Sequence, residues 1–370
     1  MDVTEQSAQV GALLRRRPLE VGVGVVVAVL LVDLVLGIGT GRYAGATVGT
    51  YLWNGVVTGL VIGIAGIGLS MTYSILNFAN FSHGDLVTTG AFTGWMAAFL
   101  VAGLGRLPLD ELLLVGGRKG VNVRDLGISV TSTPVAVLVG LLAAAVGTIV
   151  VALLVDRVVF RPMRDQGSIP LLIASIGVAL ALRYLIVFVF QTGGRGLTAA
   201  DRIPSFDVRI GSGAVNVDAH ELTLVVSALV LMLGLHLLLR RTKLGKSMRA
   251  MADNQDLARV TGIPTERVIR YTWIIGGGLT GMSGFLVALE RGTIAFNLGW
   301  ALLLLIFAAV ILGGIGSIYG AMIGGLVIGI SSSLSLVWIP SQFATAAAFV
   351  VMILVLLLKP EGLFGGVTTA

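Results

Sequence analysis

The sequence predicts an all-α protein, a polytopic transmembrane helical bundle of about 8–10 spans. Three observations carry this. Hydrophobic residues make up 56% of the 370 and charged residues only 12%. A soluble domain carries about 25% charged residues, so the chain lacks the polar surface to cover a water-exposed globule. Mean hydropathy is +0.98. The apolar residues also fall in blocks near the ~20 residues that a helix needs to cross the bilayer core. Leu19–Gly39, Pro134–Val155, Pro170–Phe190, Glu221–Leu239 and Phe343–Leu358 are the clearest.

In chain order the candidate spans are 19–39, 51–75, 86–104, 134–156, 168–190, 221–239, 271–290, 299–313, 318–337 and 342–358. The first follows Arg15-Arg16-Arg17, as in a signal peptide. It is long, however, and no small-x-small pattern stands out after it, so it reads as an uncleaved anchor. Between 299 and 337 hydrophobicity is interrupted only by Gly313-Gly314-Ile315-Gly316-Ser317. Gly55, Gly59 and Gly63 recur every fourth residue and share a helix face on which another backbone can approach closely; Gly277/Gly281 and Gly320/Gly324 do likewise.

Lys and Arg set the orientation. The segment Arg240–Arg270 holds Arg240, Arg241, Lys243, Lys246, Arg249, Arg259, Arg267 and Arg270 against Asp253, Asp256 and Glu266. Arg157, Arg161 and Arg164 follow the fourth block. Placing these segments and Arg15–Arg17 in the cytoplasm agrees with the span count between them. Ten spans then bring Lys359 inside and leave 105–133 and 191–220 as external loops.

Several functions are excluded. The net charge of +6 sits beside the spans rather than in an aromatic-interleaved patch, so nucleic acid is not a partner. The absence of Cys removes disulfides, thiolate zinc sites and Cys nucleophiles, and three His give no basis for a multi-histidine metal site. Gly245-Lys246-Ser247 resembles the end of a phosphate-binding loop, but Arg240 stands where that loop needs its first Gly. No other nucleotide-binding, HExxH or G-x-S-x-G signature occurs. The chain therefore reads as non-catalytic and without a cofactor, and any ATP hydrolysis belongs to another polypeptide.

Three segments break the apolar monotony. The first, Ser74–Asp85, joins two blocks with almost no hydrophilic linker yet contains Asn77, Asn80, Ser82, His83, Gly84 and Asp85. An ionisable group at mid-membrane costs about 2.5–3.5 kcal/mol on insertion scales, so such residues face a bundle interior, a watery cavity or an interface. Two readings fit: an interfacial turn in which Asn80 or Ser82 caps the next helix, or a discontinuous helix that lines a substrate route. If helical, Asn77 and Phe81 share one face, and Asn80 and Gly84 another. Asp85 is the carboxylate that stands near a break.

The second is Leu312–Gly325. Its glycine density permits a sharp break near 313–317, tolerable at membrane depth when buried in protein or facing a cavity. Close packing explains Gly320 and Gly324 well; it explains Gly313, Gly314 and Gly316 less well. The third is the basic segment Thr242–Tyr271. Lys246–Val260 reads as one amphipathic helix with Met251, Leu257, Ala258 and Thr261 between charged positions, ended by Gly262 and Pro264.

Taken in order, these segments resemble the LivH-type permease of branched-chain amino acid ABC importers. The resemblance rests on Leu76-Asn77-Phe78-Ala79-Asn80-Phe81-Ser82-His83-Gly84-Asp85, similar to that family's N-F-A-H-G-E signature. It also rests on Phe160-Arg161-Pro162-Met163-Arg164, on Ala252-Asp253-Asn254 followed by Gly262-Ile263, on the Gly313–Gly325 run, and on the terminal Lys359-Pro360-Glu361-Gly362-Leu363-Phe364-Gly365. It runs from about residue 50 to the C-terminus. The family pattern passes directly from N-F-A to H-G, whereas here Asn80-Phe81-Ser82 intervenes.

The resemblance implies a permease domain over 46–370, preceded at 1–45 by a cytoplasmic N-terminus and an extra span, in a multi-pass protein of the plasma membrane. It implies a second related permease subunit, cytoplasmic ATP-binding subunits and an extracytoplasmic solute-binding protein as partners, with lipid around the bundle. It implies a substrate path at Asn77, Asn80, Ser82, His83, Gly84, Asp85, Gly313, Gly314, Gly316 and Ser317. ATPase coupling falls to Ala252, Asp253, Asn254, Leu257, Ala258 and Gly262. Permeases for urea and short amides are the main rival within the class, and an ATP-independent secondary transporter is the rival outside it.

Overall fold

The computed structural model describes residues 18–108, 126–197 and 203–365. A chain that crosses lipid must pair every backbone donor and acceptor within itself, which favours helices. These are α1 (Pro18–Gly39), α2 (Gly45–Leu76), α3 (His83–Gly103), α4 (Pro134–Val155), α5 (Ser168–Phe190), α6 (Ala219–Arg241), α7 (Lys243–Asp253), α8 (Gln255–Val260), α9 (Thr265–Arg291), α10 (Leu298–Gly313), α11 (Ile318–Leu334) and α12 (Ala344–Leu358). Among the described residues nine helices are long and apolar enough to cross a membrane, and α10 is a shorter apolar one. Every apolar block is helical, and the chain breaks between α2 and α3 and between α10 and α11, as the sequence predicts.

Helices α2, α3 and α9 form the centre: 89%, 72% and 83% of their apolar windows are buried, against 6% in α1 and α12. The outward faces of α4, α5 and α6 present residues such as Val146, Leu154, Phe188 and Leu229. Lipid tails are as apolar as these side chains, so helix association depends on close packing rather than on hydrophobic force. The spaced glycines supply it. A Cβ on Gly55 would lie 2.7 Å from Ile330 Cα, and one on Gly59 2.8 Å from Leu326 Cα, so α2 and α11 touch backbone to backbone. Gly90 of α3 meets Gly281 of α9 in the same way, Gly277 rests on Ala152 of α4, and Gly320 and Gly324 rest on Gly313 and Ala309.

The segment 191–220, expected as a loop, carries short strands. Strand β1 (Arg195–Gly196) pairs with β4 (Thr293–Ile294), and β2 (Ser205–Ile210) pairs antiparallel with β3 (Gly213–Asp218), from Ser205↔Asp218 to Ile210↔Gly213. Gly211 takes φ +62° in the two-residue turn. Phe206 and Val208 stand opposite Val217 and Val215, and the hairpin leans on Gly49 of α2 through Ile210 and Val215. Asp218 and Glu221 then form a reciprocal capping box that starts α6, and Glu221 also accepts the Trp53 indole N–H at 2.9 Å. Of the other expected loop, 109–125 lies outside the described residues, as do Arg15–Arg17.

One carboxylate of α1 gathers three donors. Asp33 accepts the Trp338 indole N–H at 2.8 Å, the Tyr43 hydroxyl at 2.9 Å and Arg42 at 3.1 Å.

Candidate functional site

The site begins where α2 stops. Asn77 adopts a left-handed conformation (φ 54°) and donates its N–H to the Tyr73 carbonyl at 2.8 Å, a helix end that Asn tolerates better than most residues. The chain then turns back into the bundle. His83, the first residue of α3, hydrogen-bonds through Nε2 to the Ala65 carbonyl at 2.8 Å. Ala65 precedes Leu76 by eleven residues, about 16 Å along the α2 axis at ~1.5 Å per residue. Helix α3 therefore restarts deep inside the protein, and the polar segment is a re-entrant break rather than an interfacial turn.

Residues 77–82 are not helical, so the face-sharing pairs expected of a helix do not form. Ser82 occupies the N-cap position without a side-chain capping bond. It turns to Asn80 instead: Asn80 Oδ1 accepts the Ser82 N–H at 3.1 Å and its hydroxyl at 2.6 Å. Because two donors claim Oδ1, the amide orientation of Asn80 is fixed. Its Nδ2 is buried and finds no partner among the described residues. Phe81 donates its N–H to Ser175 Oγ on α5 at 3.0 Å and sets its ring against Phe307 of α10. Gly84 lies against the backbone of Gly299, where a Cβ would come 2.8 Å from the Gly299 carbonyl oxygen, and Gly299 N–H donates to Thr88 Oγ1 at 2.9 Å.

Asp85, in the first turn of α3, is fully buried and meets Arg183 of α5. Arg183 Nε donates to Oδ1 at 3.1 Å and Nη2 to Oδ2 at 3.0 Å, a two-bond fork. The guanidinium also lies over the Trp300 ring at 4.4 Å. Sequence reasoning picked out Asp85 but missed Arg183 and Trp300. The signal was present: Arg183 is a lone cation inside an apolar block, and a charge at that depth needs a partner.

Beneath the break, Phe160 stacks on Trp273 at 5.6 Å and touches Phe78 at 5.1 Å. It ends a π turn (Asp156–Phe160) that extends α4. Arg164 follows and holds Asp156 at 2.7 and 2.8 Å and Glu266 at 2.7 Å, while Arg161 reaches Glu266 at 3.4 Å. These pairs tie the inner end of α4 to the first turn of α9.

The Gly313–Ser317 break lies elsewhere. Gly316 approaches Ser74, near the inner end of α2. The C-terminal turn docks on the break: Leu363 and Phe364 donate their N–H groups to the Leu312 and Gly313 carbonyls at 2.8 and 2.9 Å. Gly314 has φ +104°, and a Cβ there would lie 2.7 Å from Gly365 N. Seating this turn is a packing need that accounts for Gly314, whereas Gly313 is needed for the close approach of Gly320 on α11. Ser317 caps α11 by accepting the Gly320 N–H at 3.0 Å. The ten residues expected on one path thus do not gather in one place: Gly316 lies beside Ser74 at the end of α2, close in sequence to Asn77, whereas His83 reaches back along α2 to Ala65.

At the basic end, the single helix expected over Lys246–Val260 is two. Asn254 leaves helical geometry (φ −160°, ψ 107°) and caps α8 by accepting the Leu257 N–H at 2.9 Å, so α7 ends at Asp253. Met248, Met251 and Ala258 are buried, whereas Ala252 is half-buried and Asp253 and Asn254 are exposed. Leu257 is 59% and Val260 80% exposed, one turn apart on α8. Gly262, at φ +87°, lets the chain turn into α9. Among the described residues no group of three His, Cys, Asp or Glu could hold a metal ion.

Membrane-crossing helices, one restarted inside the protein beside a charged pair, with short helices at the basic end, make this a polytopic helical membrane protein. The chain belongs to the family described as the branched-chain amino acid transport system permease component, which it matches over residues 51–358. It is similar to the high-affinity branched-chain amino acid transport system permease protein LivH of Salmonella typhimurium, 29% identical over 85% of this chain and 94% of that one. It is also similar to BraD of Pseudomonas aeruginosa, a permease protein of the same description, at 28% over 85% and 94%. The autoinducer 2 import permease LsrC of Salmonella paratyphi B is 30% identical over 66% of this chain and 73% of its own. No solved structure matches. Apolar helices and permease relatives together make this a multi-pass protein of the plasma membrane.

Proposed function

We propose that the chain is the membrane-spanning permease subunit of an ATP-driven, high-affinity importer of branched-chain or related amino acids. It supplies the path and the coupling surface; a second related permease, cytoplasmic ATPase subunits and an extracytoplasmic solute-binding protein complete the complex. The observation that carries the coupling is the exposed Leu257–Val260 pair on α8. Exposed aliphatic side chains on a six-residue helix at the cytoplasmic end are suited to a groove in a motor subunit. Ala252, Asp253, Asn254, Ala258 and Gly262 shape and orient that helix.

Force entering α8 passes through Gly262 to α9 and, through Glu266, to Arg164, Arg161 and α4. Asn77, Asn80, Ser82, His83, Gly84 and Asp85 are assigned to the path lining. Gly313, Gly314, Gly316 and Ser317 are assigned to its inner wall. Residues 1–45 are an accessory segment beside a permease domain of 46–370. The test is co-expression with ATPase subunits and purification through this chain. The ATPase is expected to co-purify in stoichiometric amount; a chain that purifies alone and moves leucine down an ion gradient would overturn the reading in favour of a secondary transporter.

A further inference from the structure

The geometry points to Asp85 and Arg183 as the residues that recognise the two charged ends of a zwitterionic amino acid in passage, Asp85 taking its ammonium and Arg183 its carboxylate. This rests on the importer reading above.

Three observations converge on it. The pair is a complete set of charges: a guanidinium fork against a carboxylate, with the Asp85 side chain 0% and the Arg183 side chain 15% exposed. A buried carboxylate cannot lose its partner without replacement, so whatever opens this pair must bring one charge of each sign. An amino acid does so. Its carboxylate matches the fork of Arg183, its ammonium the two oxygens of Asp85, and the net charge of the site is unchanged throughout.

The wall beside the pair is aromatic. Trp300 lies over the Arg183 guanidinium and is 46% exposed. Phe307 is two turns further along the same face of α10 and packs against Phe81. These rings give an aliphatic side chain an apolar surface next to the charges that hold its backbone.

A donor also stands ready on the same segment. Asn80 Nδ2 is fully buried and lacks a partner among the described residues. Arg183 lies seven residues before the end of α5, about 10 Å along its axis at ~1.5 Å per residue. A neutral amide could bridge the two side chains but could not compensate either charge, so the pair selects against urea-like cargo.

The test uses the whole complex, this chain with its second permease, ATPase and binding protein, in proteoliposomes supplied with ATP and radiolabelled leucine. The double variant Asp85→Asn/Arg183→Gln replaces the ion pair by neutral groups of similar shape. It is expected to assemble but to import leucine at least about tenfold more slowly, the effect of losing charged hydrogen bonds to cargo. A purely structural pair predicts rescue, so import at the wild-type rate by the double variant would overturn the proposal. If that variant fails to assemble, Arg183→Lys decides: it keeps the charge but loses the fork, and is expected to lower maximal uptake about tenfold at wild-type abundance; unchanged uptake would overturn the proposal. Failure of the wild-type complex to import leucine at all would instead count against the importer reading.

Discussion

Asp85 and Arg183 join α3 to α5 through two hydrogen bonds, at 3.1 and 3.0 Å, just beyond the point where α3 restarts inside the bundle. Removing one partner strands the other charge in a low-dielectric interior, which typically costs about 3–5 kcal/mol. Asp85→Ala should therefore lower the unfolding temperature and membrane abundance sharply, and Asp85→Asn/Arg183→Gln should restore most of both. Thermal unfolding in nanodiscs checks this; equal stability of the single and double variants would contradict it.

His83 pins α3 to α2 through the Ala65 carbonyl at 2.8 Å. His83→Leu removes the only side-chain donor in that bond and should cost about 1–3 kcal/mol. His83→Gln keeps a donor and should recover part of the loss. Chemical unfolding of the purified chain reads the difference.

Gly314 is held at φ +104° against the C-terminal turn. Gly314→Ala adds backbone strain of about 1–3 kcal/mol and a clash with Gly365. Gly177, on α5, has nothing within 4 Å of a built Cβ, so Gly177→Ala should stay within about 0.5 kcal/mol of wild type. Similar melting temperatures for the two variants would refute the docking role assigned to the Gly313–Gly314 break.

Leu257→Glu and Val260→Glu alter exposed side chains and should leave abundance and melting temperature unchanged. Each should abolish co-purification of ATPase subunits. Retained association in both would move the coupling surface away from α8.

The ten apolar blocks were legible because lipid imposes a length and a composition on each span. The break at Asn77–Ser82 was legible because polar residues with no hydrophilic linker have no cheap place in a membrane. Its re-entrant geometry was not, since it depends on a contact between His83 and Ala65 that no local pattern encodes. The hairpin at Ser205–Asp218 is readable in the alternation of Phe206, Val208, Val215 and Val217 around a Gly-Ser turn, although the mixed charges and glycines of the segment suggest an external loop. Arg183 was passed over for a different reason. It sits 98 residues from Asp85, and reading each segment alone leaves a lone Arg looking like a tolerated exception instead of half of a pair. The glycines at 313 and 314 suggest a break, yet Gly313 is there for the approach of Gly320 and Gly314 for the C-terminal turn that seats against it.

In the proposed complex this chain forms the path of an ATP-driven importer. Leucine uptake into proteoliposomes holding the assembled complex tests it most directly, with binding protein outside and ATP inside. Uptake that requires ATP and the binding protein, and that persists when ion gradients are collapsed, is the predicted result. Uptake by the chain alone, driven by an ion gradient and indifferent to ATP, would contradict it.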